Sequence, residues 1–131
     1  MYLLDTNICI FLKNRKPIQV LERLKAVIDK DVFISSISVA ELQYGVYNSQ
    51  NVEKNRTSLV EFLAPFEILN FDDDDAEQFG LIRAQIRREG KIIGPYDMLI
   101  AAQAIAKNLI LVTNNGNEFN RVNGLIIEDW K

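Results

Sequence analysis

Four acids in this chain stand where a carboxylate can do chemistry. Asp5 ends the opening apolar run MYLL, and Glu41 lies between Ala40 and Leu42 in a segment with few charges. Asp97 follows Gly94-Pro95-Tyr96 and leads directly into the apolar MLIAA, and Glu118 comes shortly after LILVTNN. Taken singly, each has a plain structural reading: Asp5 can cap a helix starting near Asn7, Asp97 can complement a helix N-terminus, Glu41 can face water and Glu118 can be a loop charge. Together they are harder to dismiss, because acids at the carboxyl ends of strands in an open α/β sheet face the crevice where ligands bind. If Asp5, Glu41 and Asp97 come within about 5 Å of one another, each pair repels by ~3 kcal/mol at an effective dielectric near 20. Three such pairs cost on the order of 10 kcal/mol, as much as a whole domain's stability. Such a group must take up a cation or protons.

The composition selects the cation. There is no histidine and only one cysteine, which removes the commonest general base, the usual zinc ligands and every Ser-His or Cys-His pair. An all-oxygen site suits Mg²⁺ or Mn²⁺, which takes one or two carboxylates directly, keeps waters and uses phosphate oxygens for the rest. The chemistry that follows is phosphodiester hydrolysis with a metal-activated water. The lone Cys9, set among Ile8, Ile10 and Phe11, reads as a small core residue.

The elements that must position these acids are legible in outline. The short apolar runs at 1–4, 32–34, 66–69, 109–112 and 125–127 lack strict alternation, as strands covered on both faces do. Between them, apolar residues recur three or four apart, as in Ile18-Leu21-Leu24 and Phe79-Ile82-Ile86, which predicts amphipathic helices. Residues 36–49 read as a helix with Val39, Leu42 and Val46 on one side, and another begins with Pro95 in its first turn. Alternating strands and helices predict an α/β domain with a mostly parallel sheet. The acids at 72–75 cannot all converge on one ion and are read as the solvated cap of the helix that follows.

A length of 131 residues, 48% apolar and 25% charged, predicts one soluble domain over residues 1–131. No apolar run approaches the roughly 18 residues of a membrane span, and Asp5 interrupts what would be a signal peptide core. A cytoplasmic protein is expected. The net charge of −3 argues against indiscriminate binding of nucleic acid, but leaves room for a local basic stripe.

Four stretches carry a family resemblance in order and spacing: LLDTNI, ISSISVAELQYGV around Glu41, IGPYDMLIAAQA around Asp97, and LVTNNGNEFNRVNGLIIEDW at the end. Together they resemble the PIN-domain ribonucleases, and among these the VapC toxins of bacterial toxin-antitoxin pairs, over nearly the whole chain. The resemblance implies a three-layer fold with a central five-stranded sheet, and a Mg²⁺- or Mn²⁺-dependent endoribonuclease. Its acidic pocket would be Asp5, Glu41, Asp97 and Glu118, with Asp5 and Asp97 as the principal metal ligands. Thr6, Asn7, Thr113 and Asn115 would form the pocket's supporting shell. Many PIN domains place an aspartate two residues after the Thr or Ser that ends the fourth strand, where this chain has Asn115. An amide brings no charge, so Glu118 would substitute at longer reach, and one metal or two remain open alternatives. The resemblance further implies a homodimer, a VapB-like antitoxin that lays a segment across the cleft, and an RNA substrate such as a tRNA anticodon loop, with ribosomal or messenger RNA as alternatives.

An acidic protein that holds RNA needs cations near its site. Arg83, Arg87, Arg88 and Lys91 lie just ahead of Asp97, with Arg83 and Arg87 on one helical face. They are candidates for phosphate contacts, unless Asp74, Glu77 and Glu89 neutralise them. Tyr44, Tyr47 and Tyr96 can stack bases, or serve as core or dimer contacts. Two rival functions share the composition. A receiver-type phosphoacceptor domain would need paired acids after the first strand, an aspartate ending the third and a lysine after the last, whereas these strands end in a single Asp5, in Asn70 and in LIIEDW. A non-catalytic binding module would use the same acids only as caps.

Overall fold

The computed structural model describes residues 1–131. In chain order its elements are β1 (Tyr2–Leu4), α1 (Thr6–Asn14), α2 (Ile18–Val27), β2 (Val32–Ser35), α3 (Ser36–Tyr47), α4 (Val52–Leu63), β3 (Glu67–Leu69), α5 (Asp73–Arg88), α6 (Pro95–Ala106), β4 (Ile110–Val112), α7 (Gly116–Phe119) and β5 (Ile127–Glu128). The five expected strands form one sheet in the order β3-β2-β1-β4-β5. Every pairing is parallel, so the sheet is wholly rather than mostly parallel.

The register places Tyr2 beside both Val32 and Ile110, and Leu4 beside both Ile34 and Val112. Because side chains alternate across a strand, Tyr2 and Leu4 enter one core with Ile8, Val20, Leu42, Leu59 and Trp130. Leu3 enters the other, with Ile86, Met98, Ile100, Leu111 and Phe119. Two cores on opposite faces of one sheet explain why the strand sequences carry no polar alternation.

From β1 the chain builds outward through β2 to β3, then returns to place β4 on β1's other side. The carboxyl ends of β1 and β4 therefore flank the crevice at which the winding direction reverses. A receiver-type domain has the order 2-1-3-4-5, so this topology removes that rival.

The acidic run at 72–75 behaves as a cap. Asp72 accepts from Asp75 N at 3.1 Å, while the buried Asp75 accepts from Asp72 N at 2.9 Å, a reciprocal capping box. Lys107, just past the end of α6, adds ion pairs of 2.5 Å to Asp72 and 3.3 Å to Asp75. The lysine's hydrogen bond holds the Asp72 carboxyl below its ordinary range.

Candidate active site

Asp5 occupies the end of β1 and the N-cap of α1 at once. Its Oδ1 accepts from Ile8 N at 3.1 Å and its Oδ2 from the Thr113 hydroxyl at 2.6 Å. Its backbone N–H donates to Val112 O at 3.0 Å, which ties the junction to β4. Only 4% of the residue is exposed. Burial raises its pKa, and the hydrogen bonds from Thr113 and Ile8 oppose that rise. Thr113 is held in turn, because its hydroxyl oxygen accepts from Asn115 N at 3.0 Å.

Glu41 projects from α3, half-buried. The Thr6 hydroxyl donates to its Oε1 at 2.7 Å and lies 3.0 Å from Ser38 Oγ. Thr6, first residue of α1, thus links the Asp5 cap to α3. Asp97 lies in the first turn of α6, after Gly94 and Pro95. Asp5, Glu41 and Asp97 line one open cleft of about 580 Å³, together with Thr6 and Asn7.

Glu118 lies beside Asp97 rather than on the cleft's main wall. It accepts from Gly94 N at 2.8 Å through Oε1, and from the Asn115 side-chain amide at 2.7 Å through Oε2. A Cβ at Gly94 would be 3.7 Å from both Asp97 Oδ2 and Glu118 Oε1, so the two carboxylates flank that backbone. Burial and then the neighbouring Glu118 raise the Asp97 pKa from 3.8 to about 7, with smaller contributions from Asp5 and Glu41. Burial and the adjacent Glu118 both favour the protonated form of Asp97.

The convergence expected from the sequence is thus partial. No three acids are drawn together closely enough to enclose an ion on their own. The donor set still fits a hard cation: it is all oxygen, its charge is under-compensated, and an open cleft leaves room for waters and phosphate oxygens to complete an octahedron. Cys9 is excluded as a ligand, since it is fully buried and burial pushes its thiol pKa up.

The basic stripe lies elsewhere. Arg83, Arg87 and Lys91 border a separate hollow of about 380 Å³ that meets α6 at Met98, the residue after Asp97. Neither Arg83, Arg87 nor Arg88 has an ion-pair partner, so the alternative that Asp74, Glu77 and Glu89 neutralise these arginines does not hold. Lys91 does pair, with Glu89 at 2.8 Å. Tyr44 and Tyr96 are exposed, not core, and share with Ala40 and Glu41 a hollow of about 420 Å³ next to the acids. Lys13, Ile10, Gly45 and Asn55 also line the acidic cleft, and sequence reasoning does not single them out. The one available signal is helical spacing, since Ile10 and Lys13 follow Thr6 at four and seven residues.

The family model for the PIN domain matches residues 2–125. The tRNA(fMet)-specific endonuclease VapC of Shigella flexneri is 43% identical over 129 residues, covering 98% of this chain and 97% of that protein. Ribonuclease VapC2 of Rickettsia felis is 43% identical over 131 residues, covering 99% and 98%. Among solved structures, VapBC2 from Rickettsia felis bound to a promoter DNA fragment superposes with a TM-score of 0.94 at 42% identity, over 99% of this chain and 98% of that one. DNA-bound VapBC from Salmonella typhimurium gives a TM-score of 0.94 at 41% identity with the same coverage. With a full-length match, a shared fold and acids at the sheet's crevice, the chain belongs to the PIN-domain family, among its VapC ribonucleases.

Proposed function

We propose that residues 1–131 form one PIN-like domain that acts as a toxin endoribonuclease cleaving tRNA, with initiator tRNA as the first candidate substrate and Mg²⁺ or Mn²⁺ as its cofactor. The observation that carries this reading is that Asp5, Glu41 and Asp97, from three different elements, line one cleft at the point where the sheet's winding reverses. The substrate follows from relatives that are named tRNA(fMet)-specific endonucleases.

Asp5 and Asp97 are the residues that would hold the cation, with Glu41 and Glu118 supplying charge and hydrogen bonds around it. When bound, the ion supplies an activated water and stabilises negative charge on the phosphodiester oxygens. Asp5 is pre-oriented by Ile8 N and Thr113, so it need not reorganise to ligate. Thr6 fixes Glu41, and Asn115 and Gly94 fix Glu118. Asn7 is exposed at the cleft's rim, where its amide can meet a substrate phosphate or base. Arg83, Arg87, Arg88 and Lys91 take more distant phosphates, the three unpaired arginines carrying most of that interaction. The tyrosine hollow beside Glu41 offers a flat face to a base.

The structural neighbours solved as VapBC complexes support a VapB-like antitoxin as partner; a homodimeric toxin is part of the same proposal. An arginine from such a partner would suit an under-compensated carboxylate cleft. A cytoplasmic location is part of the same proposal; no helix is long and apolar enough to cross a membrane.

Cleavage of an initiator tRNA transcript by the purified chain tests the reading. Cleavage with Mg²⁺ or Mn²⁺ that stops on chelation and in Asp97→Asn is expected. Activity that survives either change would overturn the mechanism, and tRNA binding without any cleavage would favour a non-catalytic module.

A further inference from the structure

Lys13 is the only cation among the residues lining the acidic cleft, and it makes no ion pair. It is half-buried, yet no carboxylate oxygen lies within 4.0 Å of its ammonium. Helix α1 sends Ile8, Cys9 and Leu12 into the core and presents Thr6, Asn7, Ile10 and Lys13 to the cleft. Thr6 and Lys13 are seven residues apart, which is two turns and about 10 Å along the axis on nearly the same line. Helical side chains lean toward the N-terminus, a direction that suits a lysine in the last turn reaching along the cleft it lines with Thr6 and Ile10. A lysine in a last turn complements the helix dipole wherever it points; that role does not account for its place on the cleft wall.

We infer that Lys13 is a phosphate-binding residue of the cleft, receiving the phosphate next to the scissile one when an RNA strand lies across Asp5, Glu41 and Asp97. The inference rests on the ribonuclease reading above. Three acids lining the same cleft repel a polyanion, and the ammonium that α1 presents to that cleft provides the opposing charge and fixes the strand's register. Because Lys13 lies away from the reacting phosphate, it acts on binding more than on the chemical step, and its loss belongs in KM rather than kcat.

The test uses the full chain and an initiator tRNA transcript. In an Asp97→Asn background, where the RNA stays intact, affinity is measured against salt for Lys13, Lys13→Met and Lys13→Arg. Lys13→Met is expected to flatten the log-log salt slope by about 0.7, the value of one single-strand phosphate, and Lys13→Arg to restore it. In the active chain, Lys13→Met should raise KM several-fold and leave kcat within about twofold. An unchanged slope and KM would overturn the inference, as would a lowered melting temperature with an unchanged slope, which assigns the lysine to the helix end. Failure of the unsubstituted chain to cleave would instead strike the ribonuclease reading itself, and Lys13's role with it.

Discussion

Replacing Asp97 by asparagine should make the metal-free protein more stable at neutral pH while destroying its activity. The Asp97 carboxyl is held at about 7 rather than 3.8, by burial first and by Glu118 second. A group whose pKa rises on folding favours the folded state while it is protonated, and that advantage is lost as pH climbs toward the folded value. Between about pH 4 and pH 7 the folded chain keeps a proton that the unfolded chain has given up, so stability falls across that window. A rise from 3.8 to about 7 corresponds to ~4 kcal/mol, which solvent screening at this half-open side chain reduces to about 2 kcal/mol. Asparagine has the shape of the protonated acid and no charge to lose. Urea unfolding of both proteins in chelator, at steps from about pH 4.5 to 8, should therefore show their difference widening to about 2 kcal/mol in favour of Asp97→Asn. Excess Mg²⁺ should reverse the order at about pH 8, because only the wild type gains binding energy there. Parallel pH profiles for the two proteins in chelator would refute the reasoning.

Three further perturbations isolate the supporting residues. Thr113→Val removes the 2.6 Å bond to the buried Asp5, and a loss of about 1.5–3 kcal/mol in denaturant unfolding at neutral pH is expected, with weaker Mg²⁺ binding by calorimetry. Thr6→Val frees Glu41 from its 2.7 Å bond; cleavage should drop about 10–100-fold with little change in melting temperature. Arg87→Ala with Arg88→Ala removes two unpaired cations, and the salt slope of tRNA binding should fall by about 0.7 for each phosphate that they engage; an unchanged slope would take the stripe out of the interface.

Strands and crevice are legible because their signals are local and strong. A run such as LILV has no polar residue to place in water, so it must be covered on both faces, and the acid or threonine that ends it must sit at the rim. The capping role of Asp72 is likewise written in the acids ahead of Phe79-Ile82-Ile86. Helix α4 leaves a weaker signal, because only Leu59 of its twelve residues is fully buried and Val52, Phe62 and Leu63 pack against the core only in part. The helix expected over residues 36–49 ends at Tyr47. At the site, sequence order identifies the acids but not their partners. That Glu118 holds Gly94 N, 24 residues away, or that Thr6 holds Glu41 depends on long-range packing that leaves no periodic trace. The arginine stripe shows the converse. Nearby acids in sequence suggest neutralisation, but Asp74 and Glu77 lie six or more residues before Arg83 and Glu89 directly follows Arg88; none is three or four residues from an arginine, the spacing at which helical side chains meet, and in the fold the three arginines are unpaired.

The hydrogen bond from Gly94 N to Glu118 turns a backbone amide into a built-in reporter. While Glu118 holds that bond, the Gly94 proton is shielded and exchanges slowly with solvent deuterium. If Glu118 swings toward a cation beside Asp97, the amide loses its acceptor and exchange quickens; if the glutamate stays, cation binding nearby leaves the rate unchanged or slows it. A single exchange rate, read with and without Mg²⁺, therefore distinguishes a glutamate that ligates from one that only braces the loop in front of α6.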